Sequence, residues 1–211
     1  MPGPDDADGT APMEGSIFVS KGITNVAALL AADAEDESLR RYKATLLGSA
    51  AAANNDVNPY DLRRVVITRF SLLFDPSQEE GAPTELSFAL NTAEGVQALQ
   101  AGISMKEGAR FKLKISFRVQ RDEIVVGIRF TNAVSRLLFT ETEELMIGSY
   151  PPSSSEHTFE FPRWDYNEAP VGMMSRGTYK VVNKIFCSTE GNKPLAEFHY
   201  PLTIVKRNKE P

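Results

Sequence analysis

The residues most able to do covalent or acid–base chemistry are few and scattered in this 211-residue chain. Its two histidines, His157 and His199, have no Cys or His partner at ligand spacing, whereas a zinc site ordinarily takes three or four such ligands. The single cysteine, Cys187, ends a strand-like run and reads as a small buried hydrophobe rather than a nucleophile. It has no second cysteine to close a disulfide with, so nothing argues for an oxidising compartment. Asp165 with Glu168, and the run Glu141-Thr142-Glu143-Glu144, bring together carboxylates of the kind used in general acid–base catalysis. Acids clustered on loops serve equally well as a solvated face or as a patch that meets a basic partner. The sequence holds no Gly-rich phosphate loop, Gly-x-Ser-x-Gly elbow or zinc-protease motif. The expectation is therefore a protein that is not an enzyme, with no metal and no cofactor.

Charge and composition narrow the class further. Apolar residues make up 42% of the chain, too many for a wholly disordered protein. The net charge of −5 argues against coating nucleic acid, which calls for a strongly basic face. That charge is unevenly placed. Residues 1–37 carry eight acids and one base, while the remainder carries 20 acids and 22 bases: an acidic arm on a nearly neutral body. No apolar run approaches the roughly 20 residues needed to span a bilayer, so no stable membrane insertion is expected. The chain opens Met-Pro-Gly-Pro-Asp-Asp, without a signal-peptide pattern and with Pro2 where myristoylation needs glycine. It closes Asn208-Lys209-Glu210-Pro211, without a prenylation box. These ends predict a cytoplasmic protein that carries no lipid of its own.

The elements that must position any site divide at two points. Residues 1–20 hold three prolines, three glycines and four acids with little to bury, and are expected to be disordered. Residues 21–58 read as a helical arm. Ile23, Val26, Ala27 and Leu30 keep helical spacing behind Thr24 or Asn25 as N-cap. A second helix starts at Asp36, carries the stripe Leu39, Tyr42, Leu46 and is expected to end at Gly48. Ser49 to Asn58 then reads as a linker. Two such short helices are weakly formed until a surface covers their stripes.

From residue 59 to 211 the period changes to two. Arg110 to Val119 is apolar at every odd position and polar at every even one. Further strands are predicted at Val65 to Phe74, Thr84 to Leu90, Glu123 to Ala133, Glu144 to Tyr150, His157 to Trp164, Thr178 to Cys187 and Glu197 to Lys206. Turn residues separate them. Pro201 inside the last strand lacks an amide proton, so its position is expected at an edge or a bulge. The fold class predicted is all-β: an immunoglobulin-like sandwich with a partly disordered N-terminal helical arm.

Several stretches match a known family in order. Asp36-Glu37-Ser38-Leu39-Arg40-Arg41-Tyr42-Lys43 followed by Leu46-Leu47-Gly48 resembles the arm signature of the Rho GDP-dissociation inhibitors. The resemblance continues through Val65-Val66-Ile67-Thr68-Arg69, Lys106-Glu107-Gly108, Lys114 to Val119, Gly148-Ser149-Tyr150, Glu168-Ala169-Pro170, Arg176-Gly177-Thr178-Tyr179 and Leu202-Thr203-Ile204. Single pieces are weak signals; the ordered series, over about four fifths of the chain, is specific.

The resemblance implies a chaperone for prenylated Rho/Rac-type small GTPases in the GDP state. It would be monomeric alone, blocking GDP release and extracting its partner from membranes. In that family the sandwich holds the isoprenoid tail between its sheets while the arm clamps the GTPase switch regions. Carried over by position, the switch-binding residues are Asp36, Ser38, Leu39 and Tyr42. The prenyl-binding residues are Leu72, Ile103, Phe111, Ile124, Val181 (or Val182), Phe198 and Tyr200. Glu141, Glu143, Glu144, Glu160 and Glu168 are candidates for meeting the basic segment before the prenyl cysteine. Two readings stay open at these positions: Asp36 is equally an ordinary N-cap, and alternating apolar residues are what any sandwich core requires.

The chain also departs from the family pattern. Phe198-His199-Tyr200 replaces a Trp-x-Trp pair, Ile103 replaces an aromatic, and Ser188-Thr189-Glu190-Gly191 stands where consecutive aspartates touch the GTPase. A slot of different depth or prenyl preference follows from the first two. A prenyl cargo carrier without control of nucleotide exchange is the alternative function.

Overall fold

The structure is a computed structural model that describes residues 25–31, 35–52, 61–78, 83–121, 123–188 and 193–207, excepting the side chains of 46–52. The expected disordered segment 1–20, the cap candidate Thr24, Ile23 and the later linker residues 53–58 lie outside the described residues.

Two helices open the described chain. α1 (Val26–Ala31) is capped by Asn25, whose Oδ1 accepts from the Ala28 amide at 3.0 Å. Val26 is its one buried residue, and a bridge from Asn25 to Glu123 ties this end to the body. α2 (Glu37–Ala52) begins as expected, with the Leu39 amide donating to Asp36 Oδ1 at 3.0 Å. It does not stop at Gly48. A mid-helix glycine costs about 1 kcal/mol, but Ser49-Ala50-Ala51-Ala52 follows, and alanine is the strongest helix former. The first residues read as linker are therefore helical. Lys43 Nζ donates to the Leu29 carbonyl at 3.0 Å, holding the two helices together.

The body is an all-β sandwich, with ten strands among the described residues. One sheet has the order β2 (Glu85–Ala89), β1 (Val65–Phe74), β4 (Arg110–Val119), β7 (His157–Phe161), with the two-residue β8 (Asn167–Glu168) also on β4. The other has the order β3 (Ile103–Lys106), β10 (Ala196–Val205), β9 (Gly177–Phe186), β5 (Val125–Arg136), β6 (Phe139–Tyr150). Every ladder is antiparallel except β3 on β10. The alternation read from the sequence becomes the inward face: Leu113, Ile115, Phe117 and Val119 of β4 are all buried. They meet Phe130, Val181, Ile185 and Ile204 from the opposite sheet in one core. Each such side chain contributes about 1.5–3 kcal/mol on burial.

Three elements were not expected. α3 (Ala93–Gln100) is capped by Thr92 Oγ1, which accepts from the Gly95 amide at 3.1 Å, and it buries Leu99. A Cβ on Gly95 would lie 1.9 Å from the Ala89 carbonyl oxygen, so only glycine lets this turn sit on β2. β3 and β8 are too short for periodicity to register. β6 begins at Phe139, five residues before the predicted Glu144, because β5 supplies a continuous ladder from Arg136↔Phe139 onward. β7 ends at Phe161, short of Trp164. β10 is an interior strand, yet its ladder with β3 starts only at Leu202, so Pro201 interrupts no bond on that flank.

Candidate functional site

The sandwich opens at one end. There a cavity of about 620 Å³ lies between the sheets, lined on the apolar side by Met105, Phe111, Val134, Tyr179, Leu202 and Ile204. Its volume is that of a small-molecule site. Acids rim it. Glu141 and Glu143 come from β6, where they face the same way as Leu145 and Ile147, and Glu168 comes from β8. Burial, with the Glu141 carboxylate as a smaller cause, pushes the Glu143 carboxyl up from its ordinary range.

The wall of this mouth is fixed by Glu107. Its carboxylate accepts from Arg176 Nη2 at 2.7 Å and Nε at 3.1 Å, and from the amides of Gly172 (3.0 Å) and Arg207 (3.2 Å). Arg176 is the chief cause that brings its carboxyl down to about 2. One carboxylate thus fastens the β3–β4 turn to the 172–176 segment and to the end of β10. Next to it Gly108 takes φ +71 and Ala169 brackets the turn, with Gly108 N donating to Ala169 O at 3.0 Å.

Further in, the slot is closed by aromatic rings. Phe70 of the first sheet packs on Phe198 at 5.1 Å and on Tyr200 at 5.3 Å from the second. Beyond Phe198 lies a second cavity of about 320 Å³ lined by Val65, Ile67, Leu99 and Ala196. Register also places a polar row across the inner face of the second sheet: Phe198 opposite Asn183, Asn183 opposite Asn132, Asn132 opposite Glu143. Asn183 is fully buried, and both its Oδ1 and its Nδ2 lack a partner in hydrogen-bonding geometry, as does Asn132 Oδ1. Burial pushes the Tyr200 phenol up, an effect that the neighbouring Asn183 side chain partly offsets.

The residues singled out in the sequence fall as follows. Leu72, Ile103, Val181 and Tyr200 are buried in the core, and Phe111 and Phe198 pack against it half-buried, one at each cavity. Val181 is the inward one of its pair; Val182 lies on the other face, opposite His199. Ile124 is half-buried just before β5 and stands outside the core cluster. Of the five acids, Glu141, Glu143 and Glu168 meet at the mouth. Glu144 faces away and pairs with Arg129 at 2.9 Å, and Glu160 is opposite Lys114 on the other sheet. In the arm, Asp36, Ser38, Leu39 and Tyr42 are exposed, Tyr42 by 62%. Ser188 bonds to the Gly127 carbonyl oxygen at 3.3 Å, while Thr189 to Gly191 lie outside the described residues.

Three of the chemistry candidates occupy structural positions. His157 packs on Tyr150 and Phe117 and bonds to the Pro151 carbonyl, Cys187 is fully buried, and Asp165 pairs with Arg110 at 3.0 Å. Among the described residues no group of three or more His, Cys, Asp or Glu could hold a metal, and no helix is long and apolar enough to cross a membrane. Sequence reasoning missed the polar row and Glu107's fastening role, since both depend on register between distant segments.

Comparison with known proteins matches residues 15–207 to the family described as RHO protein GDP dissociation inhibitor. A probable rho GDP-dissociation inhibitor of Caenorhabditis elegans is 36% identical over 84% of this chain and 86% of its own. The Schizosaccharomyces pombe Rho GDP-dissociation inhibitor is 37% identical over 72% and 69%. Human Rho GDP-dissociation inhibitor 1 is 35% identical over 84% and 80%.

Proposed function

We propose a mechanism from one premise: this chain belongs to the Rho GDP-dissociation inhibitor family. It binds Rho-family GTPases and restrains their release of GDP. The prenyl tail of the GTPase enters the mouth between the sheets, and the observation that carries this reading is the acid-rimmed apolar cavity of about 620 Å³. Burying a chain of about twenty carbons returns on the order of 10 kcal/mol gross, at about 0.8 kcal/mol per CH₂. A bilayer returns a similar amount, so the protein contacts decide the balance. Two sets of contacts are available. Glu141, Glu143 and Glu168 stand where a basic segment leading to a lipidated cysteine would lie. Asp36, Ser38, Leu39 and Tyr42 present an uncovered surface on α2 and its cap, suited to ordering against the switch regions on binding. The Phe70–Phe198–Tyr200 contact closes the slot past the mouth, so a longer chain enters by turning these rings aside. The protein acts in the cytoplasm, as a monomer before it meets its partner. Residues 1–20, 21–58 and 59–211 serve as acidic tail, clamp and lipid carrier.

The test is extraction of a prenylated, GDP-loaded Rho-family GTPase from liposomes, with the unprenylated protein as control. Extraction of the prenylated form alone, with slowed GDP release, is expected. No extraction at excess protein would sink the lipid reading. Full extraction with unchanged GDP release would instead identify a cargo carrier.

A further inference from the structure

The extraction mechanism leaves the outermost rim of the mouth unexplained. Among the described residues, five large apolar side chains are exposed by more than four fifths: Leu137 (92%), Leu138 (97%), Phe139 (82%), Met174 (87%) and Trp164 (89%). All but Trp164 stand at one place. Leu137, Leu138 and Phe139 form the tip of the β5–β6 hairpin. Arg136 at its base donates from Nη1 to the Met174 carbonyl at 2.7 Å, which braces the tip against the 173–175 turn. Met173, exposed by 79%, and Val171 extend the same rim past Pro170 and Glu168 of the mouth.

A hairpin turn ordinarily takes glycine, asparagine or aspartate. Here Leu137 occupies φ +54, a left-handed conformation in which its Cβ is strained, and three bulky apolar residues follow one another into water. Stability of the isolated fold explains neither feature. Leu137, Leu138 and Phe139 project consecutively from the end of the hairpin, each exposed by more than four fifths. A folded partner covers one face of such a tip, whereas a fluid hydrocarbon phase surrounds it. The charge differs between its two flanks. The outer recess directly behind Leu137, about 560 Å³, is lined by Arg136, Lys180 and His199 and by no carboxylate, while the acids Glu141 and Glu143 face inward to the mouth.

We propose that the Leu137–Phe139 hairpin tip and the Met173–Met174 turn form a membrane-docking rim. The apolar tip immerses shallowly in an anionic bilayer, Arg136 and Lys180 meet its headgroups, and the slot mouth is held at the surface from which the prenyl chain leaves. This rests on the lipid-extraction reading, and it adds that the free protein has its own affinity for the bilayer.

The experiment is co-sedimentation of the full chain, without GTPase, with vesicles of phosphatidylcholine alone or with phosphatidylserine. Wild-type protein is expected to partition onto the phosphatidylserine vesicles. The triple variant Leu137→Ser, Leu138→Ser, Phe139→Ser should lose this by about tenfold or more. The separate pair Met173→Ser, Met174→Ser should lose part of it, and Lys180→Glu should weaken binding only where phosphatidylserine is present. Binding of a fluorescent farnesyl-cysteine probe in solution, equal for wild type and variants, shows that the slot is intact. Probe binding by no form would count against the extraction reading itself. Equal vesicle partition of wild type and both apolar variants, with the probe bound, would overturn the docking rim. So would a self-association that the triple variant abolishes without any change in vesicle binding, since the rim would then face a second copy.

Discussion

Replacing Asn183 with leucine should stabilise this protein. Asn183 is fully buried on the inner face of β9, and neither its carbonyl nor its amino group has a partner in hydrogen-bonding geometry. A buried polar group left unmet costs about 1–3 kcal/mol. Leucine has a similar reach, removes both polar atoms and adds contact with Phe198 and the core around Ile185. Some strain in fitting a branched side chain offsets part of the gain, so a net of about 1–3 kcal/mol is expected. For a chain of this size that corresponds to a rise in Tm of roughly 2–12 °C. The assay is urea unfolding followed by circular dichroism, with an unchanged m-value required so that the shift in midpoint reports stability. A second consequence bears on function. A prenyl chain lying across the row would press hydrocarbon against an unmet amide, so Asn183→Leu should also slow release of a prenylated partner. A variant less stable than wild type by about 1 kcal/mol or more would refute the reasoning, because it would mean that the amide is satisfied inside the fold.

Three further outcomes follow from the same structure. Asp36→Ala removes the oxygen that accepts from the Leu39 amide and should weaken GTPase binding while the sandwich's unfolding midpoint stays put; equal affinity by titration would take Asp36 out of the contact. Glu107 has its carboxyl lowered to about 2 in the fold, so its contribution is present above the ordinary glutamate range and is lost as pH falls towards 2. Glu107→Gln should therefore narrow the stability gap to wild type on acidification between pH 5 and pH 2, measured as unfolding midpoints against pH. Glu143 has its carboxyl raised, so the fold favours its neutral form, and its unfavourable contribution is present above that raised value and fades on acidification. Glu143→Gln should raise stability at neutral pH and converge with wild type at acid pH, yet weaken binding to a GTPase with a basic tail; a variant that binds unchanged would remove Glu143 from that contact.

Periodicity and punctuation in the sequence settled the class of fold and the position of most strands, because both are properties of a single segment. Arg110 to Val119 alternates strictly, and β4 has those same ends. Asp36 and Asn25 carry their own capping oxygens, so both helix starts were legible. Elements too short for a period were not legible: β3 has four residues and β8 two, and each exists because a neighbouring strand offers it a ladder. α3 left a trace in Thr92, Leu99 and the closing Gly102, but its place depends on Gly95 passing the Ala89 carbonyl, a contact made only in three dimensions. The site divides in the same way. The acids of 141–144 were visible as a cluster, yet alternation along β6 sends Glu141 and Glu143 to the mouth and Glu144 to Arg129. Glu168 joins the first two from another sheet. Sequence alone determined which residues are apolar, charged or able to cap. The tertiary structure decided which of them share a face, because pairing register converts a distance of tens of residues along the chain into contact across a slot.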